Sequence, residues 1–423
     1  MPLNLRILQL YHRIPHPPRD GGVKAVLHMR QVLENLGCVV RGFALNPSRN
    51  RIDPSSLPNS MRDDYLLDIV ELDSHIKVGG ALAALPFSLP YHLLRFKDSN
   101  AAQRLGQIIE GYRPDLILLE GLPIALYRTT LEKFNCKILY RSHNIESDIV
   151  RQKAFSLSRW NPLRTWIYAE YRKMQAFERE TVRTVDAVLA ISPQDLIQLR
   201  EMAPDRIDHM LHFGYWPTMA NSSDSPNRPK QSVWNGERPL RLGFIGAMDW
   251  LPNQDALQWL VDEWIPATEG WTNRPEFHAA GRKAPAKFAQ KWSAYFFHGE
   301  VEDAETFMSS CDAMVFPLRM GSGLKIKAVE AMALGIPVIS TMQGVQGMGL
   351  EPGIDYLQAE NAREFAAVLQ DLTQSPNQLQ ALTERVLLKI NNYQEHNLKI
   401  KALSTLLEQV TARKGMTPRN ENG

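Results

Sequence analysis

Cysteine is scarce in this chain of 423 residues. The three cysteines, Cys38, Cys136 and Cys311, lie far apart in the sequence and form no C-x-x-C pair. The sequence therefore indicates neither a disulfide framework nor a thiolate metal cluster. We expect a protein of a reducing compartment, the cytoplasm.

An excess of one charge and a long uninterrupted apolar run are also missing. The formal net charge is +2, so nothing in the overall balance indicates a nucleic-acid partner. The sequence enters a strand pattern at once, without the basic and apolar regions of a signal peptide. The longest apolar run, residues 78–96, is broken by Pro86, Pro90 and His92 and is short for a membrane span of ~20 residues. We predict no membrane-spanning helix.

Hydrophobic residues make up 44% of the chain, which is typical of a folded protein, and the length favours two or three domains. Short apolar runs alternate with helical patterns, and such alternation predicts parallel sheets with helices on both faces. The strand-like runs begin at Leu5, Cys38, Asp115, Lys137 and Asp186, and later at Arg241, Phe277, Ala294, Asp312 and Ile336.

A polar stretch rich in Ser, Pro and Asn separates the two series of strands and predicts a linker. We predict an α/β protein of two Rossmann-like doubly wound domains that face each other across a cleft, with ligands at the carboxyl ends of the strands. The predicted segments are a first domain (1–217), the linker (218–239), a second domain (240–395), and a terminal helix with a frayed tail (396–423).

The stretch MGSGLKIKAVEAMALGIPVIST, Met320 to Thr341, places a glycine-rich turn ahead of an alanine-rich helix. A helix N-terminus presents N–H groups that bind phosphate. The nucleoside-triphosphate loop is excluded, because Gly321 and Gly323 lack the four-residue spacing and the following Lys-Ser/Thr. The turn predicts an anion site of another kind.

Three stretches together resemble retaining glycosyltransferases of family 4, the group 1 glycosyltransferases, which have the two-domain GT-B architecture. They are FIGAMDWLPNQDALQWL from Phe244, GSGLKIKAVEAMALGIPVIST from Gly321 and YRSHNIES from Tyr140. The resemblance covers most of the chain and is most specific in the second half. It implies transfer of a sugar from a nucleoside-diphosphate donor to a glycan or lipid-linked acceptor, with retention at the anomeric carbon and no cofactor. It also implies that the first domain (1–217) binds the acceptor, that the second domain (240–395) binds the nucleotide sugar, and that the terminal helix packs back on the first domain.

The chain departs from the family pattern at two points. The first glutamate of the family's pair would fall eight residues before Glu330, where the chain has Ser322. The basic residues that often neutralise the diphosphate would fall near Ala247 and Asn253, neither of which is charged. Another cation must then stabilise the leaving diphosphate, because negative charge develops on it in the transition state.

Lys327 lies three residues before Glu330, so both side chains can share one helix face. The resemblance implies that Lys327 contacts phosphate and Glu330 the ribose hydroxyls; the alternative is an ordinary surface ion pair. Arg282, after the strand FHAAG, is the candidate substitute cation, although arginines in loops are usually only solvated. The remaining predicted donor contacts are Gly246, Asn253, Gly281, Ser322, Gly323, Leu324 and Lys325. For Asn253 we favour a helix N-cap, whose neighbouring amides line the site.

His143 follows the strand KILYRS, where the family histidine donates to the transferred sugar or its acceptor; a structural histidine is the alternative. Glu146 is expected to cap a helix or to pair with Arg141. Gly21 and Gly22 open the first helix, so their amides can face phosphate or acceptor, or can merely begin the helix. The Asp and Glu residues are scattered, with no Asp-x-Asp pair, and we predict no metal ion.

The acceptor side is less defined. RWNPLRTWIYAEYRKM, from Arg159 to Met174, and residues 78–96 combine aromatic, apolar and basic side chains. They can form a peripheral membrane contact near a lipid-linked acceptor at the inner face of the membrane; we favour core and domain-interface packing instead. A sugar-nucleotide 2-epimerase of the same fold and a non-catalytic nucleotide-sugar-binding homologue are alternative functions.

Overall fold

The computed structural model describes most of the chain. The described residues are 2–61, 67–75, 88–134, 136–215, 234–293, 297–375, 377–390 and 393–412. Contacts divide the chain into two units. The first comprises Met1–Pro18, Gly22–Tyr215 and Glu395–Gly423, and the second comprises Arg19–Gly21 and Trp216–Gln394. Most of the linker predicted at 218–239 lies outside the described residues.

The first unit contains a parallel sheet of seven strands in the order β3-β2-β1-β4-β5-β6-β7. The strands are β1 (Arg6–Tyr11), β2 (Val39–Pro47), β3 (Asp68–Leu72), β4 (Leu116–Glu120), β5 (Lys137–Ser142), β6 (Ala187–Ala190) and β7 (Met210–His212). The central strands are buried on both faces, which explains their continuous apolar runs.

Helices cover both faces of this sheet. They are α1 (Gly21–Asn35), α2 (Tyr91–Leu94), α3 (Ser99–Tyr112), α4 (Arg128–Leu131), α5 (Glu146–Phe155), α6 (Pro162–Thr184), α7 (Pro193–Met202) and, near the end of the chain, α14 (Tyr393–Ala412). Alternate residues of one strand enter different cores, because side-chain direction alternates along a strand: Leu8 packs in one cluster and Ile7 in the other. Leu403 and Leu407 of α14 pack in the second of these clusters.

The second unit contains a parallel sheet of five strands in the order β12-β11-β10-β8-β9. The strands are β8 (Arg241–Ile245), β9 (Glu276–Ala280), β10 (Ala313–Phe316), β11 (Val338–Ser340) and β12 (Leu357–Gln358). The helices are α8 (Leu251–Trp259), α9 (Ala286–Trp292), α10 (Ala304–Ser309), α11 (Ile326–Ala333), α12 (Ala362–Gln374) and α13 (Asn377–Ile390).

The prediction of two parallel α/β sheets is confirmed. Three strands were not predicted from the sequence, β3, β7 and β12, and each lies at an edge of its sheet. The strand predicted from Ala294 lies partly outside the described residues, and Phe297 forms a single parallel bridge with Ala279. In the described part of the chain, no helix combines the length and apolarity that a bilayer crossing requires.

Candidate functional site

The topological switch point of the second sheet lies between β8 and β10, which are neighbours although β9 follows β8 in the chain. Ligands bind in open α/β sheets at the carboxyl ends of strands beside such a point. The loop that leaves β10 meets there the first turn of α8, the helix that follows the loop of β8: a Cβ added to Gly321 would lie 3.6 Å from Cγ of Pro252. These loops contain most of the predicted donor contacts.

The glycine-rich turn after β10 is stabilised by the lysine that follows it. Nζ of Lys325 lies 2.9 Å from the carbonyl oxygen of Gly323 and 3.2 Å from that of Ser322. Gly321 and Gly323 have φ values of 112° and 74°, which strongly favour glycine. The ammonium of Lys325 therefore stabilises the turn, and only its main-chain amide remains a predicted donor contact, as for the neighbouring Leu324.

Lys327 and Glu330 lie in the first turns of α11, the helix that follows the glycine-rich turn. Nζ of Lys327 is 2.7 Å from Oε2 of Glu330, whose side chain is only 5% exposed. The pair therefore lies in a largely buried setting, unlike a surface ion pair between solvated side chains.

The loops after β8 and β9 approach each other closely at two glycines. A Cβ added to Gly281 would lie 2.2 Å from the carbonyl oxygen of Gly246, so no larger residue fits. Asn253 packs against Gly246 and donates from Nδ2 to the carbonyl oxygen of Ala247 at 2.9 Å. The preference for Asn253 as an N-cap is wrong, because α8 begins two residues earlier, at Leu251, with Trp250 as its N-cap and Pro252 in its first turn.

Arg282 follows β9, as expected for a residue at the carboxyl end of a strand. Its Nη2 donates to Oδ2 of Asp20 at 3.0 Å, and Asp20 belongs to the segment that contacts assign to the second unit. The guanidinium is one-quarter exposed and already has a carboxylate partner. Of the two candidate phosphate cations, Lys327 lies beside the glycine-rich turn and Arg282 follows β9.

The first unit contains a buried polar cluster around Glu120, at the carboxyl end of β4. Oε2 of Glu120 lies 2.6 Å from Nε2 of His143, and Oε1 accepts a hydrogen bond of 2.7 Å from Gln9. Nη1 of Arg141 lies 3.5 Å from the same carboxylate and donates to the carbonyl oxygen of Ala25. The side chains of Glu120 and Arg141 are almost completely buried.

Electrostatics keep Glu120 ionised despite this burial. Burial by itself raises the pKa of the carboxyl, but the charge of Arg141 and the hydrogen bond from His143 outweigh it and hold the pKa below its ordinary value. An ionised carboxylate only accepts hydrogen bonds, so the proton of neutral His143 resides on Nε2 and its basic nitrogen is Nδ1. Glu120 thus fixes the tautomer and orientation of this histidine.

Neither Glu120 nor His12 was predicted from the sequence; Nδ1 of His12 lies 3.4 Å from the carbonyl oxygen of Glu120. A signal for Glu120 was present, since a glutamate followed by glycine ends the apolar run DLILLEG. Arg141 pairs with Glu120, which excludes the expected alternative of a local pair with Glu146. Gly21 and Gly22 begin α1, and contacts place them in the second and first unit respectively.

Glu146 and Glu178 form a second acidic site at the start of α5. Both oxygens of Glu178 accept main-chain N–H groups at the start of α5, from Glu146 at 2.8 Å and from Ser147 at 3.1 Å. Burial raises the pKa of each carboxyl to about 7. A carboxyl with a raised pKa binds its proton more tightly in the folded state than in the unfolded state.

This shift predicts a pH dependence of stability. Between the unfolded pKa and about 7, the folded state binds more protons, so the two carboxyls should reduce stability as pH rises through this window. The amide in the Glu146→Gln variant cannot titrate. The free energy of unfolding of this variant should therefore fall less than that of wild type between pH 5 and pH 8. Urea denaturation at both pH values measures the difference; an equal loss in both proteins would contradict the assignment.

The stretch from Arg159 to Met174 divides between interior and surface. Ile167 and Met174 are buried, which agrees with the interpretation as packing. Trp160 and Tyr168 are exposed, so that interpretation is wrong for them. Of the companion stretch 78–96, residues 78–87 lie outside the described part of the chain.

A metal site would need several ligating side chains close together in the described ranges. No group of three or more His, Cys, Asp or Glu side chains within them could hold a metal ion.

Comparisons with known proteins agree with the fold. Residues 239–375 match the family model described as "Glycosyl transferases group 1". Sucrose-phosphate synthase from Thermosynechococcus elongatus is similar at a TM-score of 0.67 and 17% identity, over 97% of this chain and 100% of that chain. HepE from Anabaena, in complex with UDP and glucose, has a TM-score of 0.63 at 12% identity, over 96% and 100% of the two chains.

A third solved structure, WaaG, a glycosyltransferase involved in lipopolysaccharide biosynthesis, has a TM-score of 0.61 at 14% identity, over 97% of this chain and 100% of that chain. No curated protein sequence matches the chain. The solved structures show the GT-B fold, which confirms the predicted fold class. The family match shows that the chain is a glycosyltransferase enzyme.

Proposed function

We propose that this glycosyltransferase moves a sugar from a nucleoside-diphosphate donor to a glycan or lipid-linked acceptor, with retention at the anomeric carbon as in family 4. The observation that carries the proposal is Lys327 in the first turn of α11, beside the glycine-rich turn. Lys325 is the N-cap residue and Lys327 the second helical residue, and the first turn contains no acidic residue.

A lysine in the first turn is unfavourable for a helix, because helix N-termini prefer negatively charged groups. The N-terminus carries partial positive charge, and a cation there is disfavoured by about 0.3–1 kcal/mol. Glu330 compensates Lys327 in part, through the 2.7 Å ion pair. A bound diphosphate would place negative charge beside both the lysine and the helix terminus, and this supports a phosphate-binding role for the site.

Two structural neighbours support this donor class. HepE was solved in complex with UDP-glucose, and the catalytic domain of starch synthase IV from Arabidopsis thaliana was solved with ADP and acarbose. In the proposal, Lys327 and Arg282 stabilise the leaving diphosphate, Glu330 accepts from the ribose hydroxyls, and the amides of residues 322–325 contact the β-phosphate and the sugar. Gly246, Gly281 and Asn253 line the adjacent part of the donor site.

The first unit supplies acceptor binding in this proposal. His143, held by Glu120 through its Nε2–H, accepts through Nδ1 from a hydroxyl of the transferred sugar or its acceptor, in place of the donation that the resemblance implies. The amides of Gly21 and Gly22 contact phosphate or acceptor. We propose that the positive groups named above stabilise the leaving group without a metal ion or cofactor, so a chelator should leave turnover unchanged. The scattered cysteines favour the cytoplasm as the compartment.

Calorimetric titration with UDP, ADP and GDP tests the donor site directly. We expect one diphosphate to bind, and Lys327→Ala to weaken that binding, whereas Arg363→Ala on the exposed surface of α12 leaves it unchanged. If no nucleoside diphosphate binds, the proposed donor site is wrong.

Product analysis by NMR then tests the reaction: a transferred sugar of unchanged anomeric configuration supports it, and release of a 2-epimer without any acceptor would favour the epimerase.

Ser322 replaces the family's first glutamate, and its side chain predicts a specific mutational pattern. Ser322→Ala should change the transfer rate by less than tenfold, about 1.4 kcal/mol, because the main-chain donors remain. Ser322→Glu should penalise an acidic donor sugar by charge repulsion in a site of low dielectric constant. Rates with neutral and acidic nucleotide sugars measure both effects. A loss of tenfold or more in Ser322→Ala would show that the hydroxyl, not the backbone, binds the donor.

A further inference from the structure

A surface that the donor site does not use lies where α5 and α6 meet. Phe155 ends α5, Trp160 precedes α6, and Leu163 and Tyr168 lie in its first turns. Their exposed fractions are 53%, 83%, 48% and 42%, respectively. We call this surface, together with Arg159 and Arg164, the aromatic-basic tip.

Hydrogen bonds hold the backbone of the aromatic-basic tip in place. The side chain of Asn161 caps α6 by accepting from the N–H of Leu163 at 3.0 Å, and the N–H of Asn161 donates to the carbonyl oxygen of Ser158 at 2.9 Å. Trp160 is therefore presented by a capped helix start with Pro162 in its first turn. A large apolar side chain that is both exposed and held in position indicates an interaction surface.

Ring contacts join the residues from the two helices into one surface. Phe155 meets Tyr168 edge to face, with ring centroids 6.2 Å apart. The guanidinium of Arg164 lies 5.1 Å from the centroid of Phe155, and that of Arg159 lies 5.1 Å from the centroid of Trp160. Each arginine therefore accompanies an exposed aromatic ring.

The charge of this region has one sign. Residues 149–169 contain four cations, Arg151, Lys153, Arg159 and Arg164, and no aspartate or glutamate. Arg151 pairs with Asp148, just outside this segment. Farther along α6, the carboxyl groups of Glu170 and Glu178 are buried in the first unit. Arg172, Arg179 and Glu180 of the same helix are exposed, and Glu180 pairs with Arg128.

We propose that the aromatic-basic tip binds the surface of an anionic lipid bilayer. Tryptophan and tyrosine insert at the level of the lipid headgroups, and arginine beside them reaches the phosphates. A cluster of bases without acids gains from the negative surface potential of such a membrane, whereas a second copy of this chain would present the same positive charge. The consequence for the reaction, a lipid-linked acceptor, rests on the proposed function.

Co-sedimentation with vesicles tests the proposal without donor or acceptor, so its failure and that of sugar transfer are distinguishable. The full chain is mixed with phosphatidylcholine vesicles, or with vesicles in which part of the lipid is phosphatidylglycerol. The variants are Trp160→Ala, the double variant Arg159→Glu/Arg164→Glu, and two matched controls on exposed parts of the same unit, Ile197→Ala and Lys133→Glu.

We expect wild type to bind the anionic vesicles and to be released by salt. Trp160→Ala should bind about tenfold more weakly, and the double variant about 100-fold more weakly, with both controls like wild type. Absence of wild-type binding, equal binding to neutral vesicles, or unchanged binding in both tip variants would overturn the proposal. Self-association that is lost in Trp160→Ala, in place of vesicle binding, would likewise overturn it and assign the tip to a protein interface.

Discussion

Lys327→Ala should lower the turnover of sugar transfer at saturating donor by about 10- to 100-fold. A charge-assisted contact is worth about 1.5–3 kcal/mol, and the proposed contact with the leaving diphosphate strengthens as negative charge develops in the transition state. The variant also leaves Glu330 without its partner at 2.7 Å, in a setting where only 5% of that side chain is exposed. Steady-state kinetics with the preferred nucleotide sugar measure kcat and KM separately.

Glu330→Ala is the contrasting variant for this prediction. It removes the proposed ribose contact, which is made equally in the ground state and in the transition state, so it should raise KM more than it lowers kcat. Arg363→Ala on the exposed surface of α12 controls for loss of positive charge in the same unit. Unchanged turnover of Lys327→Ala at saturating donor would show that Lys327 does not contact the leaving group.

Glu120→Gln should destabilise the protein by about 3–5 kcal/mol and should also impair His143. The substitution leaves the guanidinium of Arg141, which is fully buried, without a counter-charge, and an uncompensated buried charge costs about this much. The amide can present N–H where the carboxylate now accepts from Nε2 of His143, which favours the other tautomer of the imidazole. Chemical denaturation measures stability, and nitrogen NMR of the histidine reports its tautomer.

The pH dependence of the same group gives a second readout. Because the folded pKa of Glu120 is lowered, its contribution to stability is present above the unfolded pKa and is lost as pH falls through the folded value. Wild type should therefore lose this contribution in acid, and Glu120→Gln should not. Glu110→Gln, on the exposed surface of α3, is the matched control. If Glu120→Gln were as stable as Glu110→Gln, this result would contradict a stabilising buried pair of Glu120 and Arg141.

The buried strands could be predicted from the sequence because burial on both faces leaves an apolar run that few other structures produce. All five residues of β4 are buried, and its run was recognised. The edge strands β3, β7 and β12 were missed because they have only one neighbouring strand and are short or partly exposed. Their residues therefore alternate weakly or not at all in hydrophobicity.

Contacts within the candidate site could be predicted where they depend on local sequence, and not where they depend on pairing across the sheet. Lys327 and Glu330 are three residues apart on one helix, so their ion pair follows from helix geometry. Gln9 and Glu120 are 111 residues apart, and only the pairing of β1 with β4 brings them together. Polar residues such as these within apolar strands are the signal that sequence alone offers for a buried network.

The error at Asn253 has a similar origin. A cap assignment requires the first helical residue, and Pro252 allows α8 to begin before the asparagine. The contact that Asn253 makes instead, with the carbonyl oxygen of Ala247, depends on the fold of the loop after β8. The ammonium of Lys325 donates to three carbonyl oxygens of the glycine-rich turn. This role also depends on the conformation of a loop.

Incubation of the protein with a panel of nucleoside-diphosphate sugars tests the central claim most directly. The released nucleoside diphosphate and the fate of the sugar are followed by chromatography and NMR. We expect one donor to be consumed, with the sugar transferred to a glycan or lipid-linked acceptor, or slowly to water, in its original anomeric configuration. Lys327→Ala should show the same donor preference at a lower rate. Absence of diphosphate release from every donor, with all acceptors supplied, would contradict the proposed function.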